Sequence, residues 1–138
     1  MTTKEYLSQA YRLDQRINSK LEQVESLNEL ATKVTATLTG IPKNSNRATS
    51  NMADTVTKIV DLQQEINSDI NRLVDLKREI VEVIHSVENI ECQTLLELRY
   101  LCFKTWEQIA VDMNYTVRNI HLLHKEALEN AAVSKRLH

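Results

Sequence analysis

Seven residues between positions 116 and 125 carry side chains suited to contacting duplex DNA: Thr116, Val117, Arg118, Asn119, His121, Leu122 and Lys125. An arginine guanidinium can donate two hydrogen bonds to O6 and N7 of guanine, and an asparagine amide can pair with N6 and N7 of adenine. Val117 or Leu122 could meet a thymine methyl group. Lys125, farther along, suits a phosphate, which positions a protein on DNA without reporting sequence. A solvated polar surface is the plain alternative. Exposed Val117 and Leu122 are unusual for it, although they would suit a protein contact as well as DNA.

Such a face needs an element that carries it into a groove. Residues 106–128 read as two short helices separated by a three-residue turn, a helix-turn-helix. Ile109 and Met113 form the inner stripe of the first helix, and Ala110 is small enough for a close crossing. Asn114 stands at the turn, where it tolerates the left-handed conformation better than most residues. Thr105 with Gln108 forms a capping box before the first helix. Thr116 caps the second, and Tyr115 acts as an apolar plug that staples onto Ile120. Ile120, Leu123 and Ala127 then point inward, which leaves the seven candidate residues outward. An ordinary corner between two helices would share part of this pattern.

A further helix is expected over 91–102, with Asn89 as its N-cap and with Cys92, Leu95, Leu96, Leu98 and Leu101 in the core. It would pack behind the two shorter helices. Trp106 is expected to bury its ring between this helix and Ile109; a stacking platform for a single-stranded base is the lesser alternative.

The first two thirds of the chain are organised by seven-residue repeats. Ala10, Ile17, Val24, Ala31 and Leu38 recur at that interval, with Leu13, Leu27 and Val34 three residues after members of the set and Lys20 breaking it. This predicts one helix over 4–38, stopped by Gly40 and Pro42. Residues 43–49 read as an exposed connection, and Ser50 or Asn51 as the next N-cap. A second helix then runs to about residue 87. Met52, Ile59, Ile66, Leu73, Ile80 and Val87 recur every seven residues, with Val56, Ile70 and Ile84 four after three of them. Two helices with one connection predict an antiparallel hairpin. Leu62, Leu76 and Val83 on one flank, and Val60, Val74 and Val81 on the other, exceed what one partner helix covers. The surplus must face the C-terminal helices, a second copy, or both. A two-helix hairpin alone has little core, so self-association through it is expected.

Composition agrees. One Gly, one Pro and one Phe in 138 residues argue for an almost wholly helical protein. The net charge of −2 does not by itself suggest nucleic acid. Its distribution is more informative: residues 1–98 carry eleven Lys and Arg against fifteen Asp and Glu, and residues 99–138 carry six against four. Positive potential therefore gathers, mildly, on the half holding the candidate residues. No apolar run approaches the roughly 20 residues that span a bilayer, and no secretory leader is visible, so a cytoplasmic protein is expected. Cys92 and Cys102 are too far apart on one helix for a disulfide. His85, His121, His124 and His138 make no metal-ligand spacing with them. Without a glycine-rich phosphate loop or a nucleophile beside a base, no catalysis, cofactor or metal is expected.

The segment 95–128 resembles the C-terminal promoter-reading region of sigma-70-type transcription factors. Thr105, Glu107, Ile109, Ala110, Met113, Tyr115, Thr116, Ala127 and Leu128 stand at positions of that family's pattern, and Asn114 replaces its glycine. Over nearly the whole chain, including LRYLCFKTWEQIA, it also resembles small sigma-like proteins of phages and integrative elements of Gram-positive bacteria. The resemblance implies transcriptional control of phage or element genes. The region that melts promoter DNA has no counterpart, so a complete sigma factor is not expected.

The expected protein is all-α. A long antiparallel hairpin (1–88) self-associates into a homodimer or higher homo-oligomer, and a three-helix domain with the helix-turn-helix (89–138) reads double-stranded DNA. The alternative is an interaction module that docks onto RNA polymerase or another regulator without DNA affinity of its own.

Overall fold

The computed structural model describes residues 1–38 and 45–131, with side chains described for 1–33 and 52–131. Within them the chain is all helical: α1 (Thr3–Leu38), α2 (Ser45–His85), α3 (Ile90–Tyr100), α4 (Trp106–Met113) and α5 (Val117–Asn130). Gly40 and Pro42, the expected stop signals after α1, lie outside the described residues, as does the tail with Lys135 and Arg136. One expectation needs correction. Residues 45–49 belong to α2, which starts at Ser45, so neither Ser50 nor Asn51 is an N-cap. The stretch contains no Gly or Pro after Ser45, and Arg47 and Ala48 are good helix formers, so nothing local halts the helix.

The described chain forms two compact units. The first joins Met1–Asp14 to Arg72–His138. Its core takes Leu7 and Ala10 from α1, and Ile80, Val83, Ile84 and Val87 from α2 and the residues after it. Cys92, Leu95 and Leu96 of α3 join them, with Ile109 and Ala110 of α4 and Ile120 and Ala127 of α5. Each fully buried Leu or Ile here contributes about 1.5–3 kcal/mol. In this unit the surplus apolar surface of α2 is partly absorbed: Val83 is buried, and Leu76 is half-buried and packed against the core.

The helix ends are satisfied locally. Asn89 accepts from the amides of Glu91 and Cys92 at the start of α3. At its other end, the amides of Leu101 and Cys102 share the Glu97 carbonyl, and Lys104 N donates to Leu98 O at 3.0 Å. Lys77 Nζ caps the Leu101 carbonyl at 3.2 Å and lies 4.8 Å from the centroid of the Phe103 ring. Phe103 takes φ of 58°, a left-handed value that a bulky residue adopts only when its surroundings hold it. Tyr11 supplies a second hold, edge-on at 5.5 Å. Lys77 stands four residues after Leu73, where Met52, Ile66 and Ile80 are each followed by an apolar residue, and it is a half-buried cap.

The second unit, Gln15–Asn71, contains the remaining lengths of α1 and α2. They run antiparallel here: Arg16 reaches Asp69, whereas Lys20, one turn farther along α1, also reaches Glu65, one turn earlier on α2. Lys20 is buried, with Nζ 2.7 Å from Asp69 Oδ2, and Asp69 is buried beside it. The residue that breaks the apolar repeat of α1 thus has its charge matched across the seam. The pairing also changes the face that α2 buries. Ile66 and Asp69 are covered and Leu62 half-covered, while Val56 and Ile70, expected in the seam, are exposed. Turning Asp69 toward Lys20 rotates the seam to the three-residue side of the repeat.

Candidate functional site

The candidate residues sit on a short, well-delimited helix. α4 begins at Thr105, whose hydroxyl accepts from Gln108 N at 3.2 Å while Thr105 N donates to Gln108 Oε1 at 2.9 Å. α4 ends at Asn114, which is left-handed at φ 59° and ψ 44°. Tyr115 N then donates to Ala110 O at 2.9 Å, so one of the last α4 carbonyls is satisfied across the turn. Thr116 opens α5, its hydroxyl accepting from Asn119 N at 3.1 Å. Ile120 and Ala127 are buried and Leu123 is half-buried. These inward residues set which face of α5 is left outside.

That outer face holds six of the seven candidates, and Thr116, exposed as well, stands before it as the N-cap. At about 100° per residue, Arg118, His121, Leu122 and Lys125 share one stripe, with Val117 and Asn119 on its two margins. Each is exposed, Leu122 by 60% and Val117 by 38%. Among the described residues neither Arg118 nor Lys125 enters an ion pair. The side chain of Thr116 is committed to its cap. Glu129, one turn beyond Lys125, ends the stripe with an acid.

The basic character is narrower than the sequence count implies. Lys104 is bound to Asp112 at 2.6 Å, and the carboxylate raises the lysine pKa through that hydrogen bond. Arg99 lies 4.2 Å over the Trp106 ring and donates from Nη1 to Lys104 O at 2.9 Å. Arg118 and Lys125 are the cations left on the outer face of α5.

Two side chains differ from expectation. Trp106 is half-buried rather than enclosed between α3 and Ile109: its ring meets His121 at 4.9 Å and His124 at 4.6 Å. It therefore supports the candidate face from beneath. Tyr115 is exposed and donates its hydroxyl to Glu91 Oε2 at 2.7 Å, so it ties the turn to α3 as a polar clasp more than an apolar plug.

His124 is the buried member of the histidine pair. Its Nε2 lies 2.6 Å from the Tyr100 hydroxyl. Burial, with Lys4, Arg99 and His121 as neighbouring cationic or ionisable groups, lowers its pKa to about 4. Burial raises the Tyr100 pKa to about 12. A neutral imidazole accepting from a neutral phenol is the arrangement that fits both shifts. Nothing in the sequence pairs these residues, since they lie 24 positions apart. Among the described residues no group of three His, Cys, Asp or Glu side chains could hold a metal ion. Cys92 is buried and Cys102 exposed, both as free thiols. No described helix is long and apolar enough to cross a membrane.

Residues 33–131 match the family described as "Protein of unknown function (DUF1492)". The chain belongs to this family. The DUF1492 match takes in α2 to α5 whole, and with them every candidate residue on α5. No curated protein and no solved structure matches the chain.

Proposed function

We propose that this DUF1492 protein is a DNA-binding transcriptional regulator that reads duplex DNA with the outer face of α5. The observation that carries the reading is the exposed stripe of Arg118, His121, Leu122 and Lys125 flanked by Asn119. It follows a turn with a left-handed Asn114 and a capping Thr116, features that support reading α4 and α5 as a helix-turn-helix. In this reading α3, α4 and α5 form the three-helix unit, Arg118 and Asn119 meet base edges, and Lys125 meets a phosphate. Resemblance to sigma-70 promoter-reading regions and to small sigma-like phage proteins supports control of phage or mobile-element genes. With two unpaired cations on the face, one copy would bind weakly. Self-association through residues 1–87 would place two copies on one duplex and raise the affinity.

Fluorescence anisotropy with random and promoter-derived duplexes, over a salt series, tests this. Binding is expected to weaken steeply with salt, and Arg118→Ala to relax base preference by about 1–3 kcal/mol at one position. Failure of every duplex to bind at low salt would reject the reading. The exposure of Leu122 favours a second reading, in which the same face docks onto RNA polymerase or another regulator. Copurification of polymerase without any DNA affinity would select it.

A further inference from the structure

We infer that α2 carries a self-complementary seam for a second copy of this chain, centred between Gln63 and Asn67, with the two α2 helices antiparallel. The inference rests on the self-association proposed above and gives it a location and a register. It does not depend on DNA.

The seam is the face that α2 leaves open. Within Gln15–Asn71, Ile66 and Asp69 are buried, and Asp69 is held by Lys20. Val56, Val60 and Ile70 are 49%, 45% and 41% exposed, and Gln63 and Asn67 are exposed between them. These five alternate at four and three residues, the spacing of a coiled-coil seam. At 3.6 residues per turn they fall within a sector of about 80°, beside the face holding Ile66 and Asp69. A monomer would leave this stripe in water along four turns of one helix.

Two features specify what covers it. The first is charge. Within this length of α2 the charged residues Lys58, Asp61, Glu65 and Asp69 all lie off the stripe, and its outer border is Thr57, Gln64 and Asn71. An acidic or basic partner would find nothing to pair with, whereas a second neutral stripe matches it. The second is order. Val60, Gln63, Asn67 and Ile70 read as apolar, amide, amide, apolar in either direction, and the sequence spacing continues to Val56 on one side and Val74 on the other. A two-fold axis demands a self-complementary patch. Around an axis between Gln63 and Asn67, Val60 meets the partner's Ile70 and Gln63 meets the partner's Asn67. Each amide then finds an amide, and any slip of register sets an amide against a buried apolar side chain. Polar residues inside a seam fix register in this way, at some cost in stability.

The test uses the full chain without DNA, in a Cys102→Ser background to remove the exposed thiol. Light scattering over a concentration series is expected to show a dimer, and Val60→Glu with Ile70→Glu to convert it to a monomer of unchanged helicity. A wild-type monomer at all concentrations, or a dimer that survives both glutamates, would overturn the inference. Should the glutamate variant lose helicity, disulfide trapping decides. A mixture of Gln63→Cys and Asn67→Cys chains is expected to cross-link on mild oxidation, and each alone to remain largely uncross-linked. Efficient cross-linking of each variant alone would mean parallel helices, and no cross-linking of the mixture would mean another interface; either overturns the seam. Loss of DNA binding alone would leave these results untouched and would count only against the reading of α5.

Discussion

Acidification should selectively loosen the unit that holds α3, α4 and α5, because His124 is buried in its neutral form. In the folded chain its pKa is lowered to about 4, chiefly by burial. In the unfolded chain an ordinary histidine has a pKa of about 6.5. Between these values the unfolded state binds a proton that the folded state refuses, so stability rises with pH. The contribution is fully present above about pH 7, begins to fall near the unfolded pKa, and continues to be lost until about pH 4. At pH 5 linkage gives a loss of about 2 kcal/mol. For a chain of this size that corresponds to a melting-point drop of about 3–8 °C. Urea titrations from pH 7.5 to 5.0, on wild type and His124→Gln, isolate the effect. Glutamine removes the proton site while keeping a polar group near the Tyr100 hydroxyl. Other histidines and the carboxylates titrate in both proteins and cancel in the comparison. The wild-type curve should fall more steeply, approaching one extra proton, or about 1.4 kcal/mol per pH unit, below pH 6. Parallel curves would show that His124 titrates normally in the folded chain and would refute the reasoning.

Two further changes test the frame that presents the candidate face and the seam. Asp69→Ala removes the shorter of the two carboxylate contacts of buried Lys20, leaves it Glu65 at 3.4 Å, and should destabilise the chain by about 1–3 kcal/mol in urea melts. Lys20→Met combined with Asp69→Leu should recover most of that loss, and a double variant as unstable as the single would contradict the assignment. At the turn, Asn114→Ala should cost about 1–2 kcal/mol, because a β-carbon without a polar partner disfavours the left-handed backbone. Asn114→Gly should be neutral or slightly stabilising by thermal melting, and equal losses from both would argue against a backbone cause.

Much of the local structure is legible one residue at a time. Thr105 with Gln108, Asn114, Thr116 and Asn89 each act within three or four positions of themselves, and each takes the local role its chemistry favours. The α1 span follows equally directly from the apolar repeat. Legibility fails where a side chain's partner is distant. Lys20 reads as an interruption until Asp69, 49 positions away, is seen to match it. His124 reads as one of four histidines without a ligand spacing, and its burial beside Tyr100 and Trp106 emerges only in the fold. The start of α2 at Ser45 is missed for a different reason. Asn, Ser and Thr favour turns but do not forbid a helix, so composition there is a weak stop.

The sequence by itself determined that the chain is helical, where the short helices α3, α4 and α5 begin, and which residues of α5 face outward. Those properties depend on propensity, capping and periodicity, which are short-range. Tertiary structure decided which face of α2 is buried and which is left open. The repeat offers Val56 and Ile70 or Leu62 and Asp69 as seam partners to Ile66, and hydrophobicity alone favours the first pair. The Lys20–Asp69 contact selects the second, because a buried ammonium without its carboxylate costs more than two exposed aliphatic side chains.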